Sequence, residues 1–251
     1  MEQRSSDHTV SAFGEELRDL GDMIVRMGGL AEAQLASALQ ALSRRDSDLA
    51  AKVVTADAKV DEMEREVDAC VVRLIALRQP VADDLRNAVG ALKIAADVER
   101  IGDYAANVAK RVLVLNQLPL VRPVAGVPSM GRIVQELIND VLDAYVERDV
   151  RKAIDVWQRD EEVDELHTSL FRELVTDMME DPRNITACTH LMFIAKNIER
   201  IGDHATNIAE TIHFLVQGTP LRGQRPKGAD QDYSLPPGST AAPAPAKDAT
   251  E

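Results

Sequence analysis

The eleven residues ERIGDYAANVA (Glu99–Ala109) recur almost unchanged as ERIGDHATNIA (Glu199–Ala209), one hundred positions further on. A chain that writes one segment twice is built from two copies of one unit, and each copy must find a face for the same side chains. The repeat extends upstream. RDSDLAAKVVTADAKVDEME (45–64) aligns with RDVRKAIDVWQRDEEVDELH (148–167), pairing Asp57 with Asp160, Asp61 with Asp164 and Glu64 with His167. At 251 residues the chain is long enough for two modest units with a core each.

Aromatic residues make up only 3% of the chain, while Ala, Val, Leu and Ile dominate. That suits helices packed through aliphatic seams better than sheets, and predicts an all-α fold. Pro80 and Pro182 interrupt helical patterns, and Pro119, Pro123 and Pro128 fall mid-chain. Six helices are predicted, over 9–44, 48–78, 82–116, 130–147, 150–180 and 183–217. They group into a first three-helix bundle (1–116), a linker (117–129), a second three-helix bundle (130–218) and a disordered Pro/Ala-rich tail (219–251). Gly21, Gly28 and Gly29 predict a kink or break in the first helix.

Forty-two acidic residues against 29 basic ones give a net charge of −13, which repels a phosphodiester backbone and argues against nucleic acid. The N-terminus has no secretory signal and no segment is apolar enough to insert into a membrane, so a cytoplasmic protein is expected. Cys70 and Cys188 lack metal-ligand or redox spacing and read as inert thiols in helices.

At about 100° per residue, Ile94, Val98, Ile101, Ala105, Val108, Val112 and Leu115 form one apolar seam, repeated at Ile194, Ile198, Ile201, Ala205, Ile208, Ile212 and Leu215. Glu99, Asp103 and Asn107 lie on a stripe about 180° away from that seam, as do Glu199, Asp203 and Asn207, which predicts an outer groove. Acids four residues apart cost a helix roughly 0.2–0.5 kcal/mol unless a cation sits between them. In the preceding helix, Val53, Val60, Val67 and Leu74 face the core and Asp57, Asp61, Glu64 and Asp68 run along a flank. The other half reads Asp160, Asp164, His167 and Phe171 there. Exchanging Glu64 for His167 discards charge but keeps a metal-ligating group. Such a groove is either a divalent or transition-metal site, for iron, manganese, magnesium or zinc, or an acidic face neutralised by Arg100 and Arg200 or simply solvated. Gly102 and Gly202 inside these helices point to close packing by a neighbour.

The paired ERIGDxxxN motif behind an acidic DAKVDEME or DEEVDELH helix resembles the PhoU family of phosphate-uptake regulators, over roughly residues 10–217. That resemblance implies two symmetry-related three-helix bundles whose E/D-xxx-D motifs bind metal clusters. Here those motifs fall on Asp57 and Asp61, Glu99 and Asp103, Asp160 and Asp164, and Glu199 and Asp203, with Asn107 and Asn207 as the accompanying amides. It also implies a negative regulator of the phosphate-starvation response, often a homodimer, that contacts the ATPase of a phosphate ABC transporter and a phosphate-sensing histidine kinase. No phosphate loop or catalytic triad pattern is present, so a non-enzyme is expected that need not bind phosphate directly and regulates through protein contacts. Two other readings stay open: a ferritin-like carboxylate-bridged oxidase, for which only Asp164 to His167 approaches the Glu-x-x-His spacing, and a plain helical scaffold. The long tail and the unequal halves depart from the family pattern.

Overall fold

The computed structural model describes residues 2–119 and 126–223, with side chains from Gly14 onward. Six α-helices account for almost all of it, and no strand occurs among the described residues: α1 (Glu2–Arg44), α2 (Ser47–Arg78), α3 (Ala82–Leu115), α4 (Gly126–Glu147), α5 (Val150–Glu180) and α6 (Ile185–Gln217). A 3-10 turn over Pro182–Asn184 leads into α6. The fold is all-α.

The repeat reaches down to the backbone. Asp46 caps α2 by accepting a hydrogen bond from the Leu49 amide, and Asp149 caps α5 by accepting from those of Arg151 and Lys152. The residue before each cap, Arg45 and Arg148, adopts the same left-handed φ of 53°. Along 91–110 and 191–210, buried, half-buried and exposed positions follow one another in the same order. The predicted seams are the core: every member is buried except Leu215, which is half-buried.

Helices α1–α3 pack on one another, as do α4–α6, and the two sets meet along α3 against α6 and α1 against α4. The apolar core runs continuously through both. The α3–α6 pair is antiparallel, since Tyr104 stacks on His204 while Asp97 meets Asn207 at one end of the seam and Arg111 meets His190 at the other. A pseudo-two-fold axis therefore crosses the seam near Tyr104 and His204.

Three expectations are corrected. α1 is continuous, because Gly28 serves contact rather than flexure: a Cβ there would run into the Leu142 side chain of α4, and one at Gly131 of α4 would run into Leu39 of α1. α4 starts at Gly126, so the expected linker gives up its last four residues to a helix that tolerates Pro128 in its first turn, where no amide partner is needed. α1 also begins earlier than predicted, at Glu2. The rest of the linker, 120–125, and the tail from 224 lie outside the described residues. Cys188 is buried and Cys70 half-buried, both as free thiols. No helix is long and apolar enough to cross a membrane among the described residues.

Candidate metal centre

In the first unit, α2 and α3 run side by side with their acidic stripes facing. Asp57 and Asp61 are successive turns of α2, and Asp103 projects from α3. One carboxylate oxygen from each lies within 4.8 Å of the other two. Burial raises Asp57 above the ordinary carboxylate range, with repulsion from Asp103 and Asp61 adding to it and Lys110 offsetting part. Its Oδ1 is buried and accepts no hydrogen bond. Glu99, one turn before Asp103, is pushed up to about 7 by burial and then by Asp103, against the opposing pull of Arg100. Glu64 rises for the same reason, with Asp68 and Asp61 as its repulsive neighbours.

The rival neutraliser, Arg100, contributes little. Its Nε stands 3.6 Å from Glu99 and its Nη1 3.2 Å from Asp103, and the guanidinium is mostly exposed. An exposed arginine reaching two acids by one nitrogen each leaves the inner carboxylates short of positive charge. The sixth predicted residue of this half, Asn107, accepts a hydrogen bond from Lys110 Nζ at 3.2 Å and so faces the end of the α3–α6 seam.

The second unit places the equivalent residues differently. Asp160 is only 2% exposed, and the Thr206 hydroxyl sits 3.3 Å from its Oδ1 and 3.0 Å from the Gly202 carbonyl oxygen. Position 106 in the other copy is Ala, which offers no such anchor. Lys196, where the first copy has Ala96, places its ammonium 2.6 Å from Glu199. Burial still raises Glu199 against that lysine, with Asp203 and Asp164 adding repulsion, and its Oε2 is buried without a hydrogen bond. His167 is lowered by burial and then by Lys196, which keeps it in the neutral, ligating form. Asn207 turns across the seam and donates to Asp97 Oδ1, which His204 Nδ1 also approaches at 2.8 Å.

Glycine at 102 and 202 has unequal reasons. A Cβ at Gly102 would come 3.0 Å from Gln34 Oε1, another buried oxygen without a hydrogen bond, whereas one at Gly202 would make only ordinary contacts with Val163, Asp160 and Val134. Gln34, Lys196 and Thr206 are the neighbours that the motif alone did not single out. Reading the two copies against each other at 96/196 and 106/206 would have exposed the last two.

Buried carboxyl oxygens lacking donors, acids raised by burial and then by mutual repulsion, and an all-oxygen donor set that a histidine can supplement are what a hard or borderline divalent cation requires. The residues fit such an ion, the first unit better than the second.

The PhoU domain family matches residues 24–112 and again 127–212. The chain belongs to the PhoU family. It is 53% identical, over 88% of its length and 97% of the relative's, to the phosphate-specific transport system accessory protein PhoU homolog of Caulobacter vibrioides. Its identity to the Rhizobium meliloti PhoU homolog of the same description is 50%, over 89% and 94% of the two chains. The crystal structure of PhoU from Pseudomonas aeruginosa superposes with a TM-score of 0.81 at 41% identity, over 82% of this chain and all of that one. That of the phosphate transport system regulatory protein PhoU from Streptococcus pneumoniae gives 0.78 at 28%, over 84% and 100%. These PhoU relatives are named as accessory or regulatory proteins rather than enzymes.

Proposed function

We propose that this chain is a metal-binding, non-enzymatic regulator of phosphate uptake. It damps the phosphate-starvation response by coupling a phosphate ABC transporter, through its ATPase, to a phosphate-sensing histidine kinase. The names carried by its relatives support the regulatory role, and the convergence of Asp57, Asp61 and Asp103 beside a raised Glu99 supports the metal. A cytoplasmic homodimer is the form in which it works.

A bound iron, manganese, magnesium or zinc ion supplies fixed positive charge where α2 and α3 present their acids. Asp57, Asp61, Asp103 and Glu99 hold it in the first unit, with Glu64 at the edge. In the second unit Asp164, Asp203, Glu199 and His167 are the counterparts, but Lys196 already provides a positive charge and Asp160 faces Thr206. The acids then brace the long helices and fix the shape of the face that partners read.

The test is elemental analysis of protein purified without a metal-affinity tag, comparing wild type, Glu99→Ala/Asp103→Ala and Glu199→Ala/Asp203→Ala, alongside partner pull-downs. Wild type retains metal, the first double variant loses most of it, and the second loses less. Metal-free wild type that still binds its partners returns the acidic stripes to a solvated face.

A further inference from the structure

The pseudo-two-fold axis generates two equivalent grooves, one at each end of the α3–α6 seam, and their charges are opposite. One is lined by Lys93, Asp97, Asn207, Glu210 and Thr211 among others. Its mate, about 370 Å³, is lined by Asn107, Lys110, Arg111, Val114, Phe193 and Asn197, with no carboxylate among them. Position for position, Glu210 corresponds to Lys110, Thr211 to Arg111 and Asp97 to Asn197. On a chain of net charge −13, the sequence has cleared one groove of acid and put two adjacent cations in it.

Those cations are held in place. The Arg111 guanidinium lies 4.4 Å over the Phe193 ring, which is half exposed and so spends apolar surface on orienting it. Arg111 Nη1 donates toward His190 Nδ1 at 3.4 Å, and burial together with Arg111 lowers His190 so that it stays a neutral acceptor. Lys110 donates to Asn107 Oδ1, which leaves the Asn107 amide hydrogens for another acceptor. Among the described residues neither Lys110 nor Arg111 forms an ion pair.

We propose that this groove binds a tetrahedral phosphoryl-type oxyanion. Arg111 supplies a planar fork and Lys110 a point charge from α3, while the Asn107 and Asn197 side-chain amides line α3 and α6. Four donor groups from two helices match the predominantly accepting oxygens of a phosphate, more than a single carboxylate would fill. The groove borders the candidate metal centre, since Lys110 also pulls on Asp57 and Asn107 belongs to the predicted set, but Arg111, Phe193 and Asn197 lie outside that centre.

Calorimetric titration at constant ionic strength tests it, with inorganic phosphate and, separately, a phosphoserine peptide as the probes. The key variant is Lys110→Glu/Arg111→Thr, which gives this groove the residues its mate carries at those two positions. Asn197→Asp, copying Asp97, repeats the test without touching the Arg111–Phe193 stack. Saturable phosphate binding that weakens about tenfold or more in both variants supports a free ion, and the same pattern with the peptide alone assigns the groove to a phosphorylated partner. No saturable binding of either probe, or binding that survives both variants, overturns the proposal. Elemental analysis of the same variants separates this outcome from any failure of the metal centre.

Discussion

Glu99 is the side chain at which burial and repulsion meet most strongly, and the sign of its effect on stability follows from the direction of its shift. Its folded value, about 7, lies above the ordinary 4.5, so the folded chain holds this proton more tightly than the unfolded one. The stability it contributes is therefore full below about 4.5 and is lost as pH rises through 7. Asp57 and Glu64 are raised in the same direction, so their contributions too are lost as pH rises. In chelator-treated protein, Glu99→Gln should raise Tm at pH 8 by roughly 2–4 °C, the shift that about 1 kcal/mol gives in a chain of this size. The gain should vanish near pH 4.5, and adding divalent metal should reverse it, because wild type then gains a ligand that the amide cannot replace. Thermal melts across pH with and without chelator check all three parts. The motif spacing announced the acids, but not that Asp160 would face Thr206 while its equivalent Asp57 faces the groove. Helical periodicity assigns a residue to a stripe; which of two flanking spaces its carboxylate enters is decided by a neighbour on another helix.

Helix ends show why the elements were so readable. Asp46 and Asp149 announce two starts, Pro80 and Pro182 mark two breaks, and the continuous apolar seams need no tertiary context to be seen. What stayed hidden is how one helix finishes another. Arg45, held at a left-handed φ, places its Nη2 2.8–3.0 Å from the carbonyl oxygens of Leu115, Asn116 and Leu118, so the α1–α2 corner caps the end of α3. The Leu115 carbonyl also accepts from the Leu118 amide at 3.0 Å, while Asn116 and Leu118 lie just past the end of α3, where carbonyls have no continuing helix to pair with. Arg45→Ala should cost about 2 kcal/mol, in the range for hydrogen bonds to a charged group, and should loosen amide protection in the last turn of α3 before the rest of that helix. Denaturant melts and hydrogen exchange measure the two effects; unchanged protection at 112–118 would show the contact to be idle. Its repeat partner Arg148 instead reaches Asn87 Oδ1, which links α4–α5 to α3 and gives the second unit no equivalent cap.

At the scale of the molecule, the sequence made the duplication plain but not the way its halves meet. An apolar seam with a four-three rhythm says that a helix is buried, not against which partner. The seam contacts between Tyr104 and His204, and between Asp97 and the His204–Asn207 pair, join positions about a hundred residues apart that no local pattern connects. Because the core runs unbroken across this seam, the two units should unfold as one. Residues 1–119 and 126–251 expressed together as separate chains should copurify and melt in a single transition, while either alone should stay largely unfolded. Two independent transitions would refute that coupling. The same antiparallel, self-matching face is what a symmetric pair of identical chains would use. A single-repeat ancestor could thus have held itself together by finding a second copy. Joining two such copies in one chain replaces a search through solution with a tether, so that their association does not depend on concentration. With pairing secured by the chain itself, the two halves need not match, and they do not: one keeps a lysine beside its acids and the other an open cluster.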